Sequence, residues 1–240
     1  MKKITLTRLE ALDYVSSESL NTLCANLTFA GHGLKKLLFT GASAGEGEGT
    51  THVALRVLQT LAARGQRAVL VDCDLRSSTL SSRYGADAKG ELAGLAQYLS
   101  GAGKAEDILY ETNMPGAYLV PQGRAVDQPV ALLRSEKLAA LLDELAQQFD
   151  VVLVDTPPVG LVVDAAEVAS CCDGIVLVCE YGRTRRRSLA LAKRQLKASG
   201  CAILGCVINK VTYDTLSSRL YFNHADYERF SSHLNPHSDQ

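Results

Sequence analysis

Six short, almost wholly apolar runs of strand length recur along the chain. They span residues 36–40, 68–71, 117–120, 151–154, 174–179 and 202–208. Successive residues of a strand face opposite sides of a sheet, so a run that is apolar throughout indicates a strand buried on both faces. Such strands are typical of a parallel sheet covered by helices. We therefore predict an α/β fold with a doubly wound, mostly parallel sheet of six or seven strands.

Helix-like segments fill the intervals between these runs. We predict helices at residues 18–29, 50–64, 92–99, 129–148, 164–171 and 185–199. Gly65 follows the second of these helices and Pro129 begins the fourth, which are the positions that glycine and proline favour. The resulting organisation is an N-terminal helical segment (1–35) that packs on the core, a core domain (36–212) and a polar C-terminal tail (213–240).

The charge and the cysteine content exclude several classes of protein. The 25 Lys and Arg residues balance 26 Asp and Glu residues, which argues against a general nucleic-acid-binding protein. No uncharged apolar run approaches the roughly 18 residues that a membrane-spanning helix needs. The seven cysteines include no C-x-x-C pair, so we expect structural thiols in a reducing, cytoplasmic setting.

A glycine-rich loop, residues 41–51 with the sequence GASAGEGEGTT, joins the first of these runs to a predicted helix. Backbone N–H groups of such a loop can surround a phosphate at the helix N-terminus, and the Thr51 hydroxyl could reach Mg²⁺. The G-x-x-x-x-G-K-[ST] pattern is broken, because no lysine follows the glycines. A flexible turn is therefore the alternative. The candidate nucleotide-binding residues are Gly47, Glu48, Gly49, Thr50, Thr51 and His52.

Carboxylates follow two further apolar runs. Asp72 and Asp74 come after residues 69–71, and Asp155 comes after residues 151–154. In doubly wound sheets ligands bind at the carboxyl ends of the strands, where these side chains would meet. An Asp that ends a buried strand is a usual ligand of Mg²⁺ in P-loop proteins. Although each carboxylate alone could merely solvate a strand end, the three segments together predict a nucleotide site.

The chain resembles the bacterial tyrosine kinases of capsule and exopolysaccharide biosynthesis, of the CpsD/CapB type, which are deviant Walker ATPases. The resemblance extends from about residue 18 to residue 210. It is carried by VLVDCDLR (69–76), VVLVDTPP (151–158), GLAQYLSG (94–101), PGAYLVPQG (115–123), QPVALLRS (128–135), YGRTRRRS (181–188) and LGCVINKV (204–211).

The resemblance implies a P-loop fold, the cofactors ATP and Mg²⁺, and phosphate transfer to tyrosine. It assigns Thr51, Asp72 and Asp155 to Mg²⁺, Asp72 or Asp74 to the tyrosine proton, and Asn209 to the neighbourhood of the adenine. It also implies a partner, the cytoplasmic end of a membrane-embedded polysaccharide co-polymerase, and with it a place at the inner face of the cell membrane. A paralogous active kinase is a further possible partner, and nucleic acid is not expected.

The P-loop lysine of that family is missing here. Counting back from Gly65 places Thr50 at the lysine position and Thr51 at the hydroxyl position of the Mg²⁺ ligand. The alternative register places Glu48 at the lysine position and Gly49 at the hydroxyl position. We prefer the first register, because it keeps the helix length and a hydroxyl. Either register predicts weak phosphoryl transfer, and a pseudokinase scaffold of polysaccharide export is the alternative function.

Two further departures concern the ends of the chain. The family's Glu-x-x-Arg-x-x-Arg assembly motif is reduced to Glu18, Asn21 and Cys24, without either arginine. The family's dense C-terminal tyrosine cluster is reduced to three spaced candidates for autophosphorylation, Tyr213, Tyr221 and Tyr227.

Overall fold

The structure is a computed structural model that describes residues 2–31, 33–44, 47–88 and 92–211. Its strands in these residues are β1 (Lys2–Leu6), β2 (Lys36–Gly41), β3 (Ala68–Asp72), β4 (Ala86–Ala88), β5 (Tyr110–Glu111), β6 (Ala117–Val120), β7 (Val151–Asp155), β8 (Gly174–Glu180) and β9 (Ile203–Asn209). Its helices are α1 (Tyr14–Phe29), α2 (Thr50–Ala63), α3 (Leu80–Tyr84), α4 (Leu95–Ser100), α5 (Ala105–Ile108), α6 (Pro129–Leu133), α7 (Glu136–Gln148), α8 (Asp164–Ala169) and α9 (Arg186–Lys197).

The six predicted apolar runs form six consecutive parallel strands of the sheet. Their order is β6-β3-β7-β2-β8-β9, and every neighbouring pair in that order is parallel. All five residues of β3 are buried, as a strand covered on both faces requires. The predicted burial of the run at 202–208 is wrong, because β9 lies at the end of the sheet and contains no buried residue. Alternate residues of one strand supply two cores, because Leu37 and Phe39 pack on the side of α1 and α2 while Leu38 packs on the side of α7 and α8.

The sheet is wider than predicted, with nine strands in the described residues instead of six or seven. The additional strands extend one edge in the order β4-β1-β5-β6, where β4 is antiparallel to β1 and β5 is antiparallel to β6. They lack a continuous apolar run. In β1 only Ile4 and Leu6 are buried, and β5 has two residues.

The predicted single helix at 129–148 is wrong, because the structure has α6 and α7 with a break between them. Ser135 adopts an extended conformation at φ −71° and ψ 144°, and its hydroxyl donates to the carbonyl of Leu132 at 2.6 Å. Serine side chains compete for backbone groups in this way and favour helix ends over helix interiors. Proline at the start of the segment was interpreted correctly, since Pro129 begins α6.

Helix α1 begins four residues before the predicted start. Asp13 caps it, with its carboxylate accepting a hydrogen bond from the Ser16 N–H at 2.6 Å.

The N-terminal segment contains strand β1 as well as this helix, and one compact unit extends to Asn209. The domain boundaries at 35 and 212 stay predictions. Within the described part of the chain, no helix combines the length and the apolar character needed to span a bilayer.

The start of α4 contains a close approach between two backbone segments, and it gives a first prediction. A methyl group at Gly94 would overlap backbone atoms of Pro121 and Gly123. We expect Gly94→Ala to lower the free energy of unfolding by about 1–3 kcal/mol, as overpacking does. Gly103→Ala is the matched control, because its methyl group would meet nothing closer than 3.8 Å, and it should change stability by less than about 0.5 kcal/mol. Equal urea midpoints for the two variants would contradict this reading of Gly94.

Candidate functional site

The carboxyl ends of β3 and β7 bring two predicted residues side by side. The strands are parallel neighbours, and their register places Asp72 directly opposite Asp155. Asp72 is 1% exposed and Asp155 is 2% exposed. The structure therefore holds the two carboxylates together, buried at the carboxyl ends of neighbouring central strands, as the sequence predicts.

Burial controls the protonation of both carboxylates. It raises the pKa of Asp72 to about 7 and is the largest cause, and a hydrogen bond from the Ser78 hydroxyl acts in the opposite direction. Burial likewise raises the pKa of Asp155 well above its ordinary value, with the nearby Asp72 charge adding to the effect. A hydrogen bond with the Thr51 side chain lowers the pKa of Asp155. Two like charges buried together disfavour the ionised forms unless a cation compensates them.

The donor set fits Mg²⁺. Asp155 Oδ1 is buried and has no hydrogen-bond partner, so it is an orphaned acceptor next to Thr51 and Asp72. Oxygen donors are those that Mg²⁺ prefers, and it commonly uses one or two carboxylates together with waters and phosphates. Accordingly, no three His, Cys, Asp or Glu side chains in the described residues are grouped so that they could hold a metal by themselves.

The second half of the glycine-rich loop turns into α2 through glycines in the left-handed region. Gly47 has φ 112° and Gly49, the N-cap of α2, has φ 84°. These values favour glycine, and a side chain at Gly49 would in addition overlap the Asn209 amide. Asn209 donates from Nδ2 to the carbonyl of Glu48 at 2.9 Å. The structure thus connects Asn209 to the loop, and its proximity to an adenine stays a prediction.

The Glu48 side chain folds back across the glycine-rich loop. It is 3% exposed, and its Oε2 accepts a hydrogen bond from the Ser43 N–H at 3.0 Å. Its Oε1 accepts one from the Thr184 hydroxyl at 2.5 Å. Thr50 instead begins α2, where it is buried. The folded-back Glu48 side chain is what the alternative register, with Glu48 at the lysine position, would give, whereas the Thr51 hydroxyl beside Asp155 is what the preferred register would give. The position of the missing lysine therefore stays a prediction.

A cavity of about 610 Å³ opens in front of the loop. Residues 47–52 and Asp74 line it, together with Arg76, Arg83 and Pro158 among others. The predicted residues Asp72, Asp155 and Asn209 do not line this cavity. The structure therefore gathers the predicted loop residues and Asp74 around one cavity. The Asp72 and Asp155 carboxylates are buried at the carboxyl ends of β3 and β7.

His52 lies in the first turn of α2 and lines the same cavity. Its ring stacks on the Tyr84 ring at a centroid distance of 6.1 Å. Burial lowers the pKa of His52, and the charges of Arg56 and Arg83 lower it further. The imidazole is therefore held neutral near pH 7 and leaves the arginines as the cationic groups on that side.

Sequence reasoning missed an ion pair that fixes the loop after β3. Arg76 binds the Asp164 carboxylate with two hydrogen bonds, from Nε at 2.8 Å and from Nη2 at 2.9 Å. Asp164 is fully buried at the start of α8. Thr184 was missed as well, although it follows β8 at the carboxyl edge of the sheet. The candidate tyrosines Tyr213, Tyr221 and Tyr227 lie outside the described residues.

Known proteins are similar to this chain in sequence and in fold. The model of the AAA domain family matches residues 35–183. The chain is 37% identical over 230 residues to the tyrosine-protein kinase CpsD of Streptococcus agalactiae, which covers 93% of this chain and 99% of that protein.

Two solved structures extend the likeness to three dimensions. The kinase domain of the Escherichia coli tyrosine kinase Etk superimposes with a TM-score of 0.75 at 26% identity, over 82% of this chain and 78% of that one. The septum site-determining protein MinD of Pyrococcus horikoshii, solved in complex with Mg-ADP, gives a TM-score of 0.61 at 26% identity, over 73% and 70%. The predicted fold class, a doubly wound α/β sheet of the P-loop type, is confirmed.

Proposed function

The chain belongs to the family of bacterial tyrosine-protein kinases that includes CpsD, and on this premise we propose that it binds Mg-ATP at the glycine-rich loop. The phosphate acceptor is tyrosine, on this chain or on a partner. The process served is capsular or exopolysaccharide biosynthesis. The partner is the cytoplasmic end of a membrane-embedded polysaccharide co-polymerase, which would bring the chain to the inner face of the membrane.

The observation that carries this proposal is the buried pair of Asp72 and Asp155, with the partly exposed Thr51 beside Asp155, next to a glycine-rich loop that begins a helix. Thr51 and Asp155 would hold Mg²⁺, with Asp72 as the second carboxylate. Bound Mg²⁺ neutralises negative charge on the phosphates. The first turn of α2 directs its N–H groups and its helix dipole at the same place.

Asp74 is the residue placed to receive the proton of a tyrosine. It lines the cavity, whereas Asp72 is buried. Its carboxylate also accepts hydrogen bonds from the N–H groups of Arg76 and Ser77, which fix its position. A general base needs to be within reach of the proton that it removes, and Asp74 is the more accessible of the two carboxylates.

The position of Glu48 favours a second function, a pseudokinase that serves as a scaffold for the export machinery. Phosphoryl transfer depends on positioning and on charge neutralisation, and a single cationic group can change its rate by about 10³–10⁵. In the alternative register this chain has the Glu48 carboxylate where the family has its lysine, and in the preferred register it has the uncharged Thr50 there. The scaffold would keep the fold and the partner surface with little or no transfer.

Detection of phosphotyrosine separates the two functions. The purified chain is incubated with Mg-ATP and a tyrosine-containing copolymer, and both are probed for phosphotyrosine. A triple variant with Tyr213, Tyr221 and Tyr227 replaced by Phe distinguishes labelling of the tail from labelling of the copolymer. Phosphotyrosine that requires Mg-ATP supports the kinase, and its absence alongside Mg-nucleotide binding supports the scaffold.

The proposed Mg²⁺ site predicts opposite effects of one substitution on binding and on stability. We expect Asp155→Asn to weaken Mg-ADP binding at least ~10-fold, because a charged ligand of Mg²⁺ is lost. The thermal midpoint without ligand should stay the same or rise, since a neutral amide is less costly to bury than an unpaired carboxylate. Calorimetric titration and thermal unfolding measure the two effects. Asp87→Asn, at an exposed position of β4, is the control, and equal Mg-ADP affinity in both variants would refute the assignment.

A further inference from the structure

We propose that the Glu48 carboxylate is an internal anion of the glycine-rich loop, which connects Glu48 to Ser43 and Thr184 and opposes the binding of phosphate groups. The inference rests on the proposed function in one respect, because the phosphate it opposes is that of a nucleotide. It adds an autoinhibitory contact to that site. It also assigns Glu48 as the residue that sets the affinity of this site for nucleotide.

The contacts of Glu48 are those of an anion held in place. One carboxylate oxygen accepts the Ser43 N–H from the first half of the loop, at 3.0 Å. The other accepts the Thr184 hydroxyl, at 2.5 Å. Hydrogen bonds to a charged acceptor are stronger than neutral ones, so both contacts favour the folded-back side chain. The loop is thereby connected from its second half to its first half by its own side chain.

The charge of Glu48 has no cationic partner in the described part of the chain. None of the ion pairs there involves Glu48, although only 3% of the residue is exposed. Glu48 also lines the cavity in front of the loop. A phosphate that entered the cavity would therefore meet an uncompensated negative charge, and repulsion between like charges is strong where water is largely excluded.

Thr184 acts as the second attachment point of this contact. Its hydroxyl donates to Glu48 and accepts a hydrogen bond from the Glu180 N–H at 2.9 Å, so it is oriented by the end of β8. Asn209 holds the Glu48 backbone carbonyl from the end of β9. A phosphate that displaced the carboxylate would have to break the Ser43 and Thr184 hydrogen bonds. Removal of the Thr184 hydroxyl should therefore weaken the contact without any change in the loop.

The test compares Glu48→Gln and Thr184→Val with the unmodified chain. Glu48→Gln keeps the size of the side chain and removes its charge, while Thr184→Val keeps the shape and removes one donor. Pyrophosphate and Mg-ADP are titrated separately into each protein by calorimetry. We expect Glu48→Gln to bind pyrophosphate at least ~10-fold more tightly, and Thr184→Val to show a smaller gain in the same direction. Glu106→Gln, an exposed glutamate of α5, controls for the change in net charge.

Thermal unfolding without ligand gives an independent readout. Glu48→Gln should lower the thermal midpoint, because a neutral amide accepts the Ser43 and Thr184 hydrogen bonds less strongly than a carboxylate. Equal pyrophosphate affinity in Glu48→Gln and in the unmodified chain would overturn the inference. So would a measurable Mg-ADP affinity that is equal in the two proteins, and that outcome leaves the proposed nucleotide site intact. If Glu48→Gln gains pyrophosphate binding and no protein binds Mg-ADP, the internal anion is upheld and the nucleotide proposal fails.

Discussion

Arg76→Ala is expected to lower the free energy of unfolding by about 3 kcal/mol. The substitution leaves the Asp164 carboxylate buried without its partner, and breaking a buried ion pair from one side typically costs about 3–5 kcal/mol. The lower end applies because 39% of the Arg76 side chain is exposed. Since Arg76 joins the loop after β3 to α8, the loss should also loosen Asp74, which lies two residues away. Urea denaturation at pH 7 measures the change.

An exposed ion pair provides the control for this prediction. Arg134 contacts Glu167 at 3.3 Å, and 66% of the Arg134 side chain is exposed. Arg134→Ala should change stability by less than about 1 kcal/mol, as is usual for surface pairs. The double variant Arg76→Ala with Asp164→Asn should recover part of the loss, because it removes the unpaired charge. A loss for Arg76→Ala no larger than that for Arg134→Ala would show that Asp164 does not need its partner.

Glu48→Lys is expected to produce the largest gain in nucleotide binding. It removes the buried negative charge of the glycine-rich loop and places a cation there, so both changes act in the same direction. We expect Mg-ATP to bind more tightly by about 1–3 kcal/mol, the scale of hydrogen bonds to charged groups. Phosphotyrosine formation should appear or increase, because a cation beside the transferred phosphate stabilises the transition state. Calorimetry and phosphotyrosine blotting measure the two gains.

Thr50→Lys discriminates between the two registers of the loop. The helix length and the Thr51 hydroxyl beside Asp155 favour Thr50 as the lysine position, whereas the folded-back Glu48 side chain favours Glu48. If Glu48→Lys gains more than Thr50→Lys, Glu48 stands at the lysine position. The reverse order would restore the sequence-based register. Circular dichroism of each variant establishes that the fold is retained.

The central sheet was predictable because a strand that is buried on both faces gives a continuous apolar run in the sequence. Each of the six apolar runs became a strand of the parallel series β6-β3-β7-β2-β8-β9, and five of these strands are mostly buried, whereas β9 contains no buried residue. The edge strands β1, β4 and β5 were not predictable in the same way, since short strands with partial burial have no continuous apolar pattern. The break at Ser135 was missed because a local side-chain hydrogen bond overrides the helical periodicity on either side.

The candidate site was predictable only as far as strand ends determine it. Asp72 and Asp155 converge because they end neighbouring parallel strands, and the sequence order of those strands was readable. The contacts of Glu48 with Thr184 and of Arg76 with Asp164 connect residues that are 136 and 88 positions apart. No local pattern encodes such pairs. The missing lysine and the acidic residues of the loop were therefore visible in the sequence, but the hydrogen-bond partners of Glu48 were not.

The central claim is that Mg-nucleotide binds where the glycine-rich loop meets the carboxyl ends of β3 and β7, with an affinity set by Glu48. Its most direct test is a calorimetric titration of Mg-ADP into Glu48→Lys and into the double variant Glu48→Lys with Asp155→Asn. We predict that Glu48→Lys binds Mg-ADP more tightly than the unmodified chain, and that the second substitution abolishes the gain. A gain that persists in the double variant would place the nucleotide away from Asp155 and contradict the account.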